Sequence, residues 1–438
     1  MGPFDIAVEK LEFARVRQRV ARYAVSDAAR DLIEHMLPLA DPTLVQAELG
    51  RVTALKRLLE VEDALPLEGM HHIRPAVQKA GVEGSLLTPR ELSQVGSTLR
   101  ASRVLRSAVH KRRDAHPAVW ELVDALPFDK VLEFNIEQAI DETGAVRATA
   151  SRELQSIRRA IADRYDDLRK RLESVLRGVS DQGFSQDEII TTREGRMVIP
   201  VKVEHKKRVP GFIHSASSSG ATVFIEPTET LELNNEIRSL QFQEQREVDR
   251  ILRELTIAVG AQKPALLRMV EVLATVDVLQ AKAKYSIEIL GVEPRVDGAD
   301  VVHLREARHP LLIAHHGRQG TVPLDLDLGG SSTTLLISGP NAGGKSVALK
   351  CLGVFALMTQ CGLHIPARED AVMPVFTAMV VDIGDEQSIE SDLSTFSSHL
   401  TNLKTIVRGA TSQSLVLIDE IGTGTDPAEG GALAAAVL

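Results

Sequence analysis

The stretch TTLLISGPNAGGKSVALKCLGVFALM, residues 333–358, decides how this chain is read. The β-formers Thr333 to Ile337 predict a strand, and GPNAGGKS follows at once at 339–346. That octet fits G-x-x-x-x-G-K-[ST], and the apolar residues beyond it predict a helix ending near Gly362. Glycines let successive backbone amides turn inward around a phosphate, and a helix N-terminus adds positive potential. Gly339, Pro340, Asn341, Ala342, Gly343, Gly344, Lys345 and Ser346 therefore form the candidate cradle. Within it Lys345 can reach the β- and γ-phosphates, and the Ser346 hydroxyl can serve Mg²⁺. ATP or ADP with Mg²⁺ is the ligand this pattern calls for.

Downstream, LVLIDEIGTGTDP at 415–427 supplies a second half. Ser414 to Ile418 reads as a buried parallel strand. Asp419 at its end can hold Mg²⁺ through water, and Glu420 can orient the attacking water. Pro427 is placed to open a helix. Between the two halves lies VVDIGDEQSIESDLSTFSSHLTNLKTIV, where Ser394 precedes a run of helical spacing. Its plain role is a helix cap; its sharper role would be to approach a γ-phosphate bound by another subunit.

Working outward, 438 residues imply roughly two to four domains. Hydrophobic content of 44% and charged content of 25% fit a globular protein, and no run reaches the length of a membrane span. The N-terminus lacks the apolar core of a secretory signal, so a cytoplasmic location and no membrane partner are expected. Cys351 and Cys361 share one apolar stretch and read as buried thiols in a reducing compartment. Aromatics are only 3%, so base stacking is not expected to be a major theme. The net charge is −9, so any nucleic-acid contact has to come from local basic patches.

Residues 1–145 read as a helical core punctuated by prolines. Residues 146–264 read as an arm, with long helices at about 147–179 and 229–260 and a β-rich tip at about 183–226. Leu154, Ile157, Ile161, Tyr165, Leu168, Leu172 and Val175 step by three or four, which makes the first helix about 45 Å long. In the returning helix the charged Glu244 breaks the stripe, so close packing should lapse there. Residues 265–298 return to helix, and 299–438 change to strand, loop and helix in alternation. Two basic clusters stand out. One is the turn His205, Lys206, Lys207 and Arg208 at the tip; the other is Arg103, Arg106, Lys111, Arg112 and Arg113. Either is a solvated surface or a phosphate contact.

GPNAGGKS, GDEQS, LSTFSSH and LVLIDEIGTGTDP, in this order, resemble the ATPase of the MutS family, a branch of the ABC-type ATPases. EARHP at 306–310 and the helical arm with its β tip are similar too. The resemblance covers nearly the whole chain. It implies a multidomain fold: an all-α core, a long antiparallel helical arm with a small β tip, then an α/β P-loop ATPase domain, truncated here. MutS proper starts with a mismatch-reading domain carrying Phe-x-Glu and a connector domain; this chain enters the core helices directly. It is therefore similar to the bacterial MutS type-two branch, whose members carry a C-terminal Smr domain with endonuclease activity. A piece of a longer protein, with impaired turnover by itself, is the expectation.

By motif, the resemblance implies a homodimer with composite ATPase sites. Asn341 lies near the γ-phosphate, Ser394 is donated in trans, and Lys345 and Glu420 are catalytic. Where MutS proper stacks a ring on adenine, this chain has Thr321-Val322-Pro323 and no ring. The implied activity is an ATP-gated clamp on branched DNA that suppresses homologous recombination. The alternative is an ATPase that splits stalled, collided ribosomes through rRNA contacts. An arm protein of the SMC or Rad-fifty type fits less well, since such arms are far longer and their signature has a Ser-Gly-Gly core where this chain has LSTF.

Overall fold

The computed structural model describes residues 2–127, 129–185, 187, 189–296, 298, 300–340, 343–383, 403–404, 406–421 and 426–437. In chain order its helices are α1 (Asp5–Lys10), α2 (Phe13–Ala21), α3 (Asp27–Glu34), α4 (Pro42–Val61), α5 (Arg74–Ala80), α6 (Pro89–His110), α7 (Pro117–Val123), α8 (Lys130–Ala139), α9 (Arg152–Asp181), α10 (Leu231–Ala261), α11 (Lys263–Glu288), α12 (Pro310–His316), α13 (Lys345–Gln360) and α14 (Pro427–Val437). The strands are β1 (Thr191–Arg193), β2 (Arg196–Lys202), β3 (Gly211–Ala216), β4 (Thr222–Pro227), β5 (Val301–Ala307), β6 (Leu324–Gly329), β7 (Ala378–Asp382) and β8 (Ser414–Ile418). None of the described helices is long and apolar enough to cross a membrane.

One compact unit comprises Met1–His72, Arg100–Phe128 and Leu267–Leu438. Its core forms around α13, where every residue from Cys351 to Gln360 is buried. A helix apolar on all sides needs cover on all sides. Gly353 allows the closest approach: a Cβ there would lie 2.6 Å from Leu11 Cδ1 and 2.7 Å from Leu417 Cδ1. Gly362, with φ +65°, ends the helix, and Leu363 N–H reaches back to Met358 O at 2.8 Å. Both cysteines are free and buried, and burial pushes the Cys361 thiol up to about 12. Buried polar groups on α11 tie down the surrounding loops. Asp277 accepts from Val25 N, Ser26 N and Ser26 Oγ; Gln280 accepts from Leu65 N; Lys282 donates to Cys361 O at 2.7 Å. β7 and β8 pair in parallel, from Ala378↔Ser414 to Asp382↔Ile418. β5 and β6 form a separate antiparallel pair.

The second unit comprises Ile73–Leu99 and Asp129–Leu266. Here α9 and α10 pack side by side. Ser151 Oγ accepts from Leu154 N to cap α9 and donates to Glu247 Oε1 at 2.6 Å. The pairing continues through Arg158–Glu244 (2.7 Å), Arg164–Glu236 (2.9 Å) and Arg171–Glu229 (2.6 Å). Between Ile157 and Leu168 on α9, and between Ile237 and Glu247 on α10, no residue is fully buried. Glu244 thus marks a stretch where ion pairs replace apolar packing, each contributing about 0–1 kcal/mol.

Past Arg171, α9 runs on for about 15 Å alone. A four-stranded sheet, in the order β1-β2-β4-β3, covers it there. Leu168, Leu172, Leu176 and Val179 pack against Ile199, Val201, Val223 and Ile225. Both β2 and β3 run antiparallel to β4, so they are parallel to each other on its two sides. The 203–210 segment that joins them therefore travels the length of β4: Val203 N bonds Ala221 O at one end, and Thr228 N bonds Pro210 O at the other. It is a crossover rather than a hairpin turn. At the opposite end of the helix pair, α10 meets α5 closely, since a Cβ on Gly260 would sit 2.4 Å from Ala80 O.

One expected strand is not formed. Thr333 to Ile337 lie outside every ladder among the described residues, with Leu335 47% and Leu336 69% exposed. β-propensity spans only about 1 kcal/mol, and a parallel strand holds its place through partners and cover on both faces. Those five residues have neither in the described structure.

Candidate nucleotide and nucleic-acid sites

The 339–346 loop ends where α13 begins. Gly344 is left-handed at φ +83°, a conformation that glycine adopts freely, and it brings no side chain to cap the first turn. Gly343 N donates to Pro340 O at 2.9 Å, and Lys345 Nζ donates to Gly339 O, so the loop folds back on itself. Gly339, Gly343, Gly344 and Ser346 are exposed. The result is a helix N-terminus with open amides and an adjacent ammonium, the chemistry that suits an anion. Asn341, Ala342 and Ser394 lie outside the described residues, as does the GDEQS motif.

β7 and β8 each end an apolar run on an aspartate, Asp382 and Asp419, and Asp419 N donates to Asp382 O at 2.9 Å. Asp382 is buried, Asp419 half-buried and Glu420 exposed. Asp382 escaped the sequence reading, although AMVVD repeats the pattern of LVLID. Glu420 has φ +52°. A side chain other than glycine rarely takes this conformation, and such strain concentrates at functional positions. The contact of Gly353 with Leu417 links the two motifs. Lys345 is about 12 Å back along α13 from it, and Glu420 about 10 Å onward from Leu417.

Around this site the N-terminal residues contribute directly. Pro3 O accepts from Met379 N at 3.1 Å along β7, and Lys10 Nζ donates to Ile383 O at 3.2 Å. Glu12, at φ +55°, pairs with Lys350 of α13 at 3.6 Å. Within EARHP, His309 caps α12 by accepting from Leu311 N, and burial holds its imidazole down at about 4. Of the candidate adenine stretch, Thr321 is buried and Val322 is 86% exposed.

The two basic clusters differ in their partners. At 103–113, Arg106 bonds Asp124 (3.2 Å) beneath the Trp120 ring, Arg112 bonds Glu62 (2.8 Å) and Arg113 lies 3.6 Å from Asp114. Arg103 is half-buried and Lys111 exposed. At 205–208, His205 stacks on Phe184 with ring centroids 4.4 Å apart. Lys206, Lys207 and Arg208 are exposed and make no ion pair among the described residues.

Residues 335–438 match the profile of MutS domain V. Along nearly its whole length the chain is similar to proteins named Endonuclease MutS2. The one from Pelotomaculum thermopropionicum is 42% identical over 99% of this chain and 54% of its own length. Those from Symbiobacterium thermophilum and Geobacillus thermodenitrificans are each 41% identical over 98% of this chain and 53% and 54% of their own. The chain thus spans about half the length of the curated relatives it matches. Four ordered motifs, the described strand pair that ends in acids, and this similarity from end to end agree: the chain belongs to the MutS2 family.

Proposed function

We propose that the protein is an ATP-dependent nucleic-acid clamp that works as a homodimer on branched DNA and thereby restrains homologous recombination. The observation that carries the ATPase reading is Glu420, an exposed carboxylate held at φ +52° one residue beyond the Asp419 that follows β8. In this reading Gly339 to Ser346 bind the phosphates, Lys345 neutralises charge on them, and Glu420 orients water. Ser346 and Asp419 would hold Mg²⁺, which when bound offsets the charge of the phosphates. Asn341 and Ser394 complete the site by motif, Ser394 from the second subunit. The paired α9 and α10, with the basic crossover beside their sheet, form the arm of the clamp. The nuclease activity in the relatives' name is assigned to an Smr-type domain, as in the wider branch.

The test is steady-state hydrolysis by the full-length protein. Glu420→Gln should reduce turnover by at least a hundredfold while ATP binding persists, and Lys345→Ala should weaken binding itself. Turnover that survives at 420 would remove the catalytic assignment. Tight binding of collided ribosomes, with none to four-way junctions, would replace branched DNA as the substrate.

A further inference from the structure

Residues 206–213 read Lys-Lys-Arg-Val-Pro-Gly-Phe-Ile, three cations followed closely by two large apolar residues. All but Val209 are exposed, Phe212 at 62% and Ile213 at 51%. Both lie on β3, the rim of the sheet, whose outer side has no ladder partner among the described residues. Phe212 sits opposite Glu226 and Ile213 opposite Ile225, so they project to opposite sides of that rim. The next residue pins the strand: His214 Nε2 lies 2.7 Å from the buried carboxylate of Glu226, which Arg196 also engages at 2.6 Å. Glu194 and Glu204 lie within 3.7 Å of His214 and His205. The 206–213 ribbon itself holds three positive charges and no acid. Aromatics are scarce in this chain; Phe4, Phe13 and Phe355 are buried, and of the exposed Phe134, Phe212 and Phe242 only Phe212 lies on a strand, in the same ribbon as the three cations.

We infer that the β3 rim is a base-contacting blade. Phe212 and Ile213 stack on, or wedge against, the unstacked bases of a branched nucleic acid whose phosphates lie along Lys206, Lys207 and Arg208. This rests on the clamp reading above and adds to it the part of the substrate that the tip meets. Charge decides the occupant. A second copy offers this ribbon the same three cations and no acid, whereas a polyanion is complementary to them.

The test uses full-length protein and four-way DNA junctions carrying 2-aminopurine either at the branch point or within an arm. Wild type should change the fluorescence of the branch-point probe only. Phe212→Ala combined with Ile213→Ala should abolish that change and weaken binding about tenfold. Its salt slope should match that of wild type, and Phe212→Trp should restore the signal. Both side chains are exposed, so folding is not at risk. If the double variant binds and signals like wild type while Lys206, Lys207 and Arg208→Ala flattens the salt slope, the blade is wrong and the clamp arm stands. If neither variant alters binding, both readings fall. If the double variant changes only the sedimentation of the protein alone, the rim joins two copies and the inference is overturned.

Discussion

Replacing Lys206, Lys207 and Arg208 together by alanine tests the clamp arm most directly. On duplex DNA each neutralised phosphate contributes about 0.9 to the slope of log K against log salt. Three lost contacts should lower the slope by about 2.7. Between 50 and 200 mM KCl, a factor of four, the variant should therefore lose about 40-fold less affinity than wild type does. The fold should not register the change. The crossover is held by buried Val209, by the His205–Phe184 stack and by backbone bonds from Arg208 N to His205 O and Thr228 N to Pro210 O. Substitutions at such exposed positions stay within about 0.5 kcal/mol. Fluorescence anisotropy of a labelled junction, titrated across that salt range, reads the slope. Arg106, Arg112 and Arg113→Ala is the matched comparison: those arginines face Asp124, Glu62 and Asp114, so their loss should change the slope by less than about one. Parallel salt lines for wild type and the 206–208 variant would refute the reasoning.

Three further outcomes follow from the geometry. Gly178→Ala, on an open face of α9, should stabilise by about 0.5–1 kcal/mol, whereas Gly260→Ala drives a Cβ onto the Ala80 carbonyl and should destabilise by about 1–2 kcal/mol net of its helix gain; calorimetry should show midpoint shifts of opposite sign. Arg250 and Ser151 hold the Glu247 carboxyl down at about 2, below its ordinary 4.5. The stability it contributes is therefore present above about pH 4.5 and lost as pH falls towards 2; Glu247→Gln should flatten that acid limb in a series of unfolding midpoints. Glu420→Gly should relieve the left-handed backbone and raise stability by about 0.5–1 kcal/mol while abolishing turnover, and Glu420→Gln should lose turnover with no such gain.

Features that depend on neighbours in the chain were legible. Leu154, Ile157, Leu168 and Leu172 announce the face that α9 buries, because helical periodicity is local; Ile161, Tyr165 and Val175 belong to the same stripe yet stay half-buried, and for the first two Glu244 on α10 marks the lapse in packing. The end of α13 at Gly362 follows from one glycine and its left-handed φ. Pairing over distance was not legible. Turn residues mark where β2 and β3 end, yet nothing in them says that β4 inserts between, so the basic segment reads as a hairpin turn when it is a crossover. Likewise the apolar letters of Thr333 to Ile337 specify a strand, and only a partner can make one. Asp382 was hidden for the same reason: its place beside Asp419 exists only in the β7–β8 register.

The two basic clusters show why this distinction bears on function. As sequence they are equivalent, each a short run of lysine and arginine. Counterion release on nucleic-acid binding depends on a cation that is free to neutralise phosphate. Arg112, bonded to Glu62, must give up that carboxylate first, and the carboxylate then regains a counterion of its own. The exchange returns nearly as much as it releases, so such an arginine adds little to affinity or to its salt dependence. Lys206, Lys207 and Arg208 have no ion pair among the described residues to break, and each phosphate they meet counts in full. The residue type sets which chemistry is open to a cluster, and the acids that the fold places beside it set how much of that chemistry remains for a ligand.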